Sequence, residues 1–296
     1  MFTLASLINR IPGGVALGII WGIMALGVYI TFRVLQVSDL TVDGSFTTGG
    51  AVTIMLILAG VSPTLALFAA IIAGILCGVV TGLIHTKLKI PAILSGILVQ
   101  IALFSINIHI LAGKANQAVN PSKYNLLIAI GNVPKSILIG LIISILIIIV
   151  LYWYFGTEQG CAIRATGNSI RMALAQGINI NNMKVIGFAL GNGLVALAGG
   201  LLAEYQGYAD INMGRGAIVI GLAAIIIGEA LSEVFFKKGC SFYTRLAFVI
   251  IGGIIYYLVM VLILWLRVDS NDLKLFTAII VCIFLAIPNF KKKGIK

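Results

Sequence analysis

Only nine carboxylates are spread through a chain of 296 residues that carries 20 Lys and Arg. One of them, Glu229, falls inside the apolar run VIGLAAIIIGEALSEVFF at residues 219–236. An ionisable group in such a setting is costly to bury, and it points to an ion relay, a solute path or a partnership with a basic group or helix end. The uncharged groups Gln100, Asn107 and Asn192 also sit within apolar runs. Each can serve as an interhelical hydrogen bond or as a ligand for a polar solute. These four residues are the candidates for lining a path through the molecule.

Other chemistries are not supported. The sequence contains no HExxH, no GxSxG and no Ser/His pair on facing apolar segments, so no catalytic set is assembled and no enzyme is expected. There is no GxxxxGK[ST] phosphate loop, since Gly113-Lys114 is followed by Ala. Cys77, Cys161, Cys240 and Cys282 are isolated and form no CxxC pair, which predicts free thiols, no metal and no cofactor. His109 is a lone histidine near a helix end and carries no role.

The elements that must position the candidates are membrane spans. Hydrophobic residues make up 60% of the chain and charged ones 10%, and several apolar runs approach the ~20 residues needed to cross a bilayer as a helix. The reading is an all-α polytopic helix bundle, a single domain over residues 1–296. Nine spans are expected, at about residues 15–37, 44–59, 63–85, 91–112, 135–155, 183–206, 216–236, 243–266 and 273–288. The net charge of +11 comes from short basic clusters between spans, with no basic helix or aromatic-interleaved patch suited to nucleic acid. If the spans alternate, His85, Lys87, Lys89, Arg164, Arg171, Lys184, Lys237, Lys238, Arg245 and Lys291 to Lys293 share one side, which the positive-inside rule places in the cytoplasm with the C-terminus. Residues 1–12 show no removable signal peptide.

The second span is short, opens on Gly44 and contains Gly49 and Gly50. It either crosses, which puts the N-terminus outside, or re-enters, which puts it inside; charge counting does not choose. Asp39-Leu-Thr-Val-Asp-Gly44 resembles Asp210-Ile-Asn-Met-Gly-Arg-Gly216 ahead of the seventh span, five spans later. The pair forms a candidate inverted repeat and favours a crossing second span. Gly74 and Gly78, Gly187 and Gly191, and Gly199-Gly200 predict close helix packing.

Residues 157–184 are too polar to span. Ile170, Leu174 and Ile178 recur at four-residue spacing, with Ser169 or Asn168 as cap and Gly177 as terminator, which predicts a short amphipathic helix. It reads either as an anchor lying on lipid or as a helix that fits a groove on another protein.

The run Arg164-Ala-Thr-Gly-Asn168 followed by Ala173, Gly177-Ile-Asn179, Lys184 and the stretch from Gly187 to Gly200 resembles the permease subunits of ATP-binding cassette importers of the branched-chain amino acid and ribose type. The segments Ala25 to Phe32, Asp39 to Ser45 and Gly221 to Glu229 extend the resemblance over nearly the whole chain. Leu40-Thr-Val-Asp-Gly-Ser45 and Gly228-Glu229 are similar to the subgroup associated with tryptophan or tyrosine. The resemblance implies a pair of permeases, a homodimer or a heterodimer, in a bacterial plasma (inner) membrane. It also implies separate cytoplasmic ATPase subunits and an external solute-binding protein. Arg164, Gly167, Asn168, Ala173, Gly177 and Lys184 would then form or brace the ATPase-facing loop, and Glu204 and Asp210 would face the binding protein. A stand-alone transporter coupled to protons or sodium is the alternative, with Glu229 as its ion-coupling group.

Overall fold

The computed structural model describes residues 4–236 and 241–265, apart from 122 and 125, together with five positions between 275 and 282. The described residues form ten α-helices and one short β-ribbon. Helix α1 (Leu4–Tyr29) runs on into a wider π-helical turn, Ile30–Val34. It is followed by α2 (Val42–Leu58), α3 (Pro63–Lys87), α4 (Ala92–Ile110), α5 (Val133–Gly156), α6 (Glu158–Asn168), α7 (Ile170–Ala175), α8 (Ile180–Gln206), α9 (Ala217–Phe235) and α10 (Phe242–Trp265).

Seven of these helices are long and apolar enough to cross a membrane, and α2 is a shorter apolar helix. Eight of the nine expected spans therefore match helices, seven of them to within about three residues at each end, while α1 begins eleven residues ahead of the expected first span. The ninth, 273–288, lies largely outside the described residues. Local signals set the boundaries. Pro63 opens α3, where its missing N–H costs nothing. Asn179 caps α8 by accepting the Asn182 N–H at 3.2 Å, and left-handed Gly207 ends that helix.

Strand β1 (Asn116–Ala118), after α4, pairs antiparallel with β2 (Tyr208–Asp210), after α8. This ribbon marks one end of the bundle, and α6 and α7 mark the other. Gly13 of α1 lies beside Tyr205 at the ribbon end, while Val34 and Leu35 lie against Gly167 and Gly187 at the opposite end. The N-terminus is thus on the ribbon side. From Leu35 the chain turns back through Gln36, which adopts φ 54°, and α2 returns it to the ribbon side. Gly44 of α2 meets Gln100 and Leu103 in the middle of α4, and the α2–α3 turn follows Leu58. The second segment therefore crosses the bundle and does not re-enter.

Helices α1, α2 and α8 form the interior. A methyl added to Gly49 would strike the Ala196 backbone, one on Gly74 or Gly78 the α8 carbonyls of Asn192 or Phe188, and one on Gly199 the Phe46 carbonyl. Such approach of backbone to backbone is how small residues drive association where lipid supplies no hydrophobic force between helices. Trp21 stacks on Phe46 at 5.0 Å between α1 and α2. On α3, by contrast, Leu65, Phe68, Ile72 and Leu76 are 60–62% exposed, an apolar outer face suited to lipid.

Candidate functional site

Helices α2 and α9 both begin inside the bundle. The first starts after residues 35–41 have folded back from the α6–α7 end, the second after residues 211–216 have dipped in from the ribbon end. Their N-termini meet. The Asp43 carboxylate accepts the backbone N–H of Gly216 at 2.9 Å and of Ile218 at 3.1 Å, so one acidic side chain satisfies the first turn of the opposing helix. Thr47 Oγ1 accepts the Gly214 N–H at 3.2 Å. The two lead-in segments share a local fold. Asp39 Oδ1 accepts the Thr41 N–H at 2.9 Å, and Asp210 Oδ1 accepts the Asn212 N–H at 2.7 Å. The two segments paired in the sequence thus open on the same turn.

Beside this junction opens a cavity of about 480 Å³ lined by Asp43, Gly44, Thr47, Gln100, Ser105, Asn107 and Arg215, with Ile97, Ile101 and Phe104 on its apolar side. Two of the four path candidates, Gln100 and Asn107, are thus brought together. Asn107 is buried, its Nδ2 reaches the Gly44 carbonyl at 3.4 Å, and its Oδ1 has no partner among the described residues. Arg215 and Asp43, which were not singled out from the sequence, complete the polar wall.

The other two candidates lie elsewhere. Asn192, fully buried in α8, donates from Nδ2 to Asp39 Oδ2 at 2.6 Å and to the Phe188 carbonyl at 3.0 Å, and accepts from Ser45 Oγ at 2.6 Å. It ties the α1–α2 break to α8, and a hydroxyl pair between Thr41 and Thr81 at 2.8 Å extends the tie to α3. Glu229 of α9 forms an ion pair with Arg33 in the π-helical turn of α1, toward the α6–α7 end. Exchanging the charges, Arg33→Glu with Glu229→Arg, is expected to recover most of the transport lost in either single variant. A carboxylate that relays a proton or sodium ion would not survive the exchange, so solute uptake by the three variants separates the two roles.

One expectation is corrected. Glu204 does not face outward toward a partner. It is fully buried, and Oε2 accepts the Leu127 N–H at 3.1 Å. Val119 and Pro121 lie against Gly207 at the end of α8, and Leu127 lies over Glu204, enclosing a carboxylate that sequence order had placed near a loop. Asp210 does lie at the ribbon end, in β2, with its Oδ2 3.5 Å from Asn116 Nδ2.

The polar loop forms two helices in place of the one expected. Thr157 caps α6, and extended Ser169 (φ −156°) separates α6 from α7 and caps the latter. Gly177, at φ 75°, follows the end of α7 and donates its N–H to the Leu174 carbonyl at 2.9 Å. Ala173 is buried, while Ile170, Met172 and Leu174 are 50–68% exposed. Gly167 packs against the Val34 carbonyl and Leu35, so α6 rests directly on the end of α1. Arg164 donates to the Phe155 carbonyl at 2.7 Å and lies over the Phe242 ring at 5.8 Å. It lines a second cavity of about 420 Å³ with Arg33, Gln36 and Asn168. Lys184 Nζ lies 3.1 Å from His85 Nε2, joining α8 to α3.

A multi-pass helix bundle with two broken helices meeting in its interior, and a helical ledge at one end, has the organisation of a membrane transport protein. Residues 11–287 match the family model described as the branched-chain amino acid transport system permease component, and the chain belongs to that family. It is 38% identical over 271 residues to the tyrosine transport system permease protein of Clostridioides difficile (strain R20291), covering 92% of this chain and 88% of that one. It is 30% identical over 277 residues to an uncharacterized protein of Rickettsia prowazekii (strain Madrid E), covering 92% and 94%. No solved structure gives a significant match.

Proposed function

We propose that this permease is the membrane-spanning subunit of an ATP-binding cassette importer that carries an amino acid, of the aromatic kind, inward, with ATP hydrolysed by a separate subunit. The α6–α7 end faces the cytoplasm, as does the C-terminus, and the ribbon end faces a solute-binding protein outside a bacterial plasma membrane. Two copies enclose the path between them. The observation that carries this reading is the α6–α7 ledge. It presents Ile170, Met172 and Leu174 to its surroundings at the end where Arg33, Lys87, Lys89, Arg164, Arg171, Lys184 and Arg245 gather. A ledge of exposed apolar side chains braced on α1 through Gly167 suits a partner that pushes on it. The aromatic solute class follows from the tyrosine transport system named for the relative.

The test is purification of the tagged chain from its native membrane. A P-loop ATPase is expected to accompany it, and the reconstituted complex with its binding protein should hydrolyse ATP faster when tyrosine is supplied. Uptake by the permease alone, driven by a proton or sodium gradient, would overturn the reading.

A further inference from the structure

The cavity at the α2–α9 junction has features that packing alone does not explain. Asp43 and Leu58 are 15 residues apart in α2, about 22 Å at 1.5 Å per residue, so the junction lies deep below the ribbon end. Arg215 sits at that depth, directly before α9, and is exposed on the outer surface of a single chain. Among the described residues it forms no ion pair. A guanidinium exposed at bilayer depth does not face hydrocarbon; it faces water or an enclosed path. Its neighbours agree, since Gln100, Ser105 and Thr47 line the same cavity. The buried Asn107 amide in its wall keeps an oxygen without a partner among the described residues, and that acceptor suits a donor brought by a ligand.

We propose that this cavity is a solute-binding station of the translocation path, in which Arg215 takes the α-carboxylate of an amino acid and Asn107 Oδ1 takes its ammonium group. This rests on the reading of the chain as an amino acid permease and adds to it a site within the membrane. The assignment follows the chemistry of each wall. Arg215 presents a planar set of donors that matches a carboxylate. Asp43, which accepts the N–H groups of Gly216 and Ile218, lines the same cavity as a further acceptor for the ammonium. Phe104, Ile97 and Ile101 offer an apolar bed for the side chain. At about 480 Å³ the cavity falls in the range of small-molecule sites, ~300–1,000 Å³.

The test uses the complete transporter in proteoliposomes, with the four native cysteines changed to Ser and Ser105→Cys introduced. A charged, membrane-impermeant maleimide is expected to label Ser105→Cys. Tyrosine should slow that labelling about tenfold at ten times its Kd, and tyramine, which lacks the carboxylate, should not. Adding Arg215→Gln should remove the protection by tyrosine while leaving labelling intact, and Arg215→Lys should restore part of it. Labelling only by a lipid-soluble maleimide would place this face against lipid and overturn the proposal. Equal protection by tyrosine and tyramine, or no protection by either tyrosine or leucine, would also overturn it. ATP-driven uptake measured on the same vesicles keeps the two readings apart. Uptake without protection rejects the station alone, and protection without ATP-driven uptake rejects the importer reading alone.

Discussion

Asn192→Leu is expected to remove most of the folded protein from the membrane fraction. The side chain makes three hydrogen bonds within the interior, and its donation at 2.6 Å goes to Asp39, only 2% exposed, which also accepts from Thr41. Interhelical hydrogen bonds inside membrane proteins average only about 0.6 kcal/mol. A hydrogen bond to a charged group is worth more, about 1.5–3 kcal/mol. The larger figure applies if Asp39 is ionised, and the variant decides this. Thermal unfolding in detergent, followed by fluorescence-detected size exclusion, should show a marginal Asn192→Leu protein. The double variant Asp39→Leu with Asn192→Leu should recover much of the loss, because it removes both the charge and its partner. A single variant that loses no more than an ordinary interhelical hydrogen bond would mean that Asp39 is held as the neutral acid.

The second large effect concerns the ledge. Ile170→Asp combined with Leu174→Asp is expected to lower ATP-driven uptake by about 10²-fold or more, as expected for hot-spot residues at an interface worth ~2–4 kcal/mol together. The fold should be unaffected, because both side chains are at least half exposed and the residue that anchors α7 to the bundle is Ala173. Unfolding temperature, ATPase recovery on purification and uptake together form the readout. Loss of uptake with the ATPase still bound at wild-type level would show that the ledge transmits motion but does not hold the partner. Unchanged uptake would remove the ledge from the coupling scheme. Gly167→Arg is a poorer probe of the same question. Any side chain at Gly167 meets the backbone at Val34, so it disturbs α1 before it disturbs a partner.

The spans were legible because long apolar runs have few structural alternatives, and the cap at Ser169 and the stop at Gly177 follow from single residues. The crossing of α2 was not legible from charge. It depends on residues 35–41 folding back beneath the helix, and neither hydropathy nor the positive-inside rule registers so short a return. The site was half legible. Gln100 and Asn107 stand out as polar residues in an apolar helix. Arg215 looks like an ordinary loop cation until residues 211–216 are seen to dip inward. The signal that could have found it was the repeated Asp-led segment, since the pairing of residues 39–44 with 210–216 places Arg215 opposite the start of α2. Glu204 misled for the complementary reason, because sequence proximity to a loop says nothing of what the loop folds over.

The glycine contacts of α8 also restrict how this molecule can move. Where Gly49, Gly74, Gly78 and Gly199 bring main chains together, neither helix of a pair can turn about its own axis without driving backbone into backbone. Cores packed this tightly have few arrangements between which to switch. Helices α2, α3 and α8 therefore behave kinematically as one body, with α1 bound to α8 where Gly27 meets Gly191. A push on α6 would reach that body both where Gly167 bears on Val34 and where α6 lies against α8, and would tilt it as a block rather than twist it helix by helix.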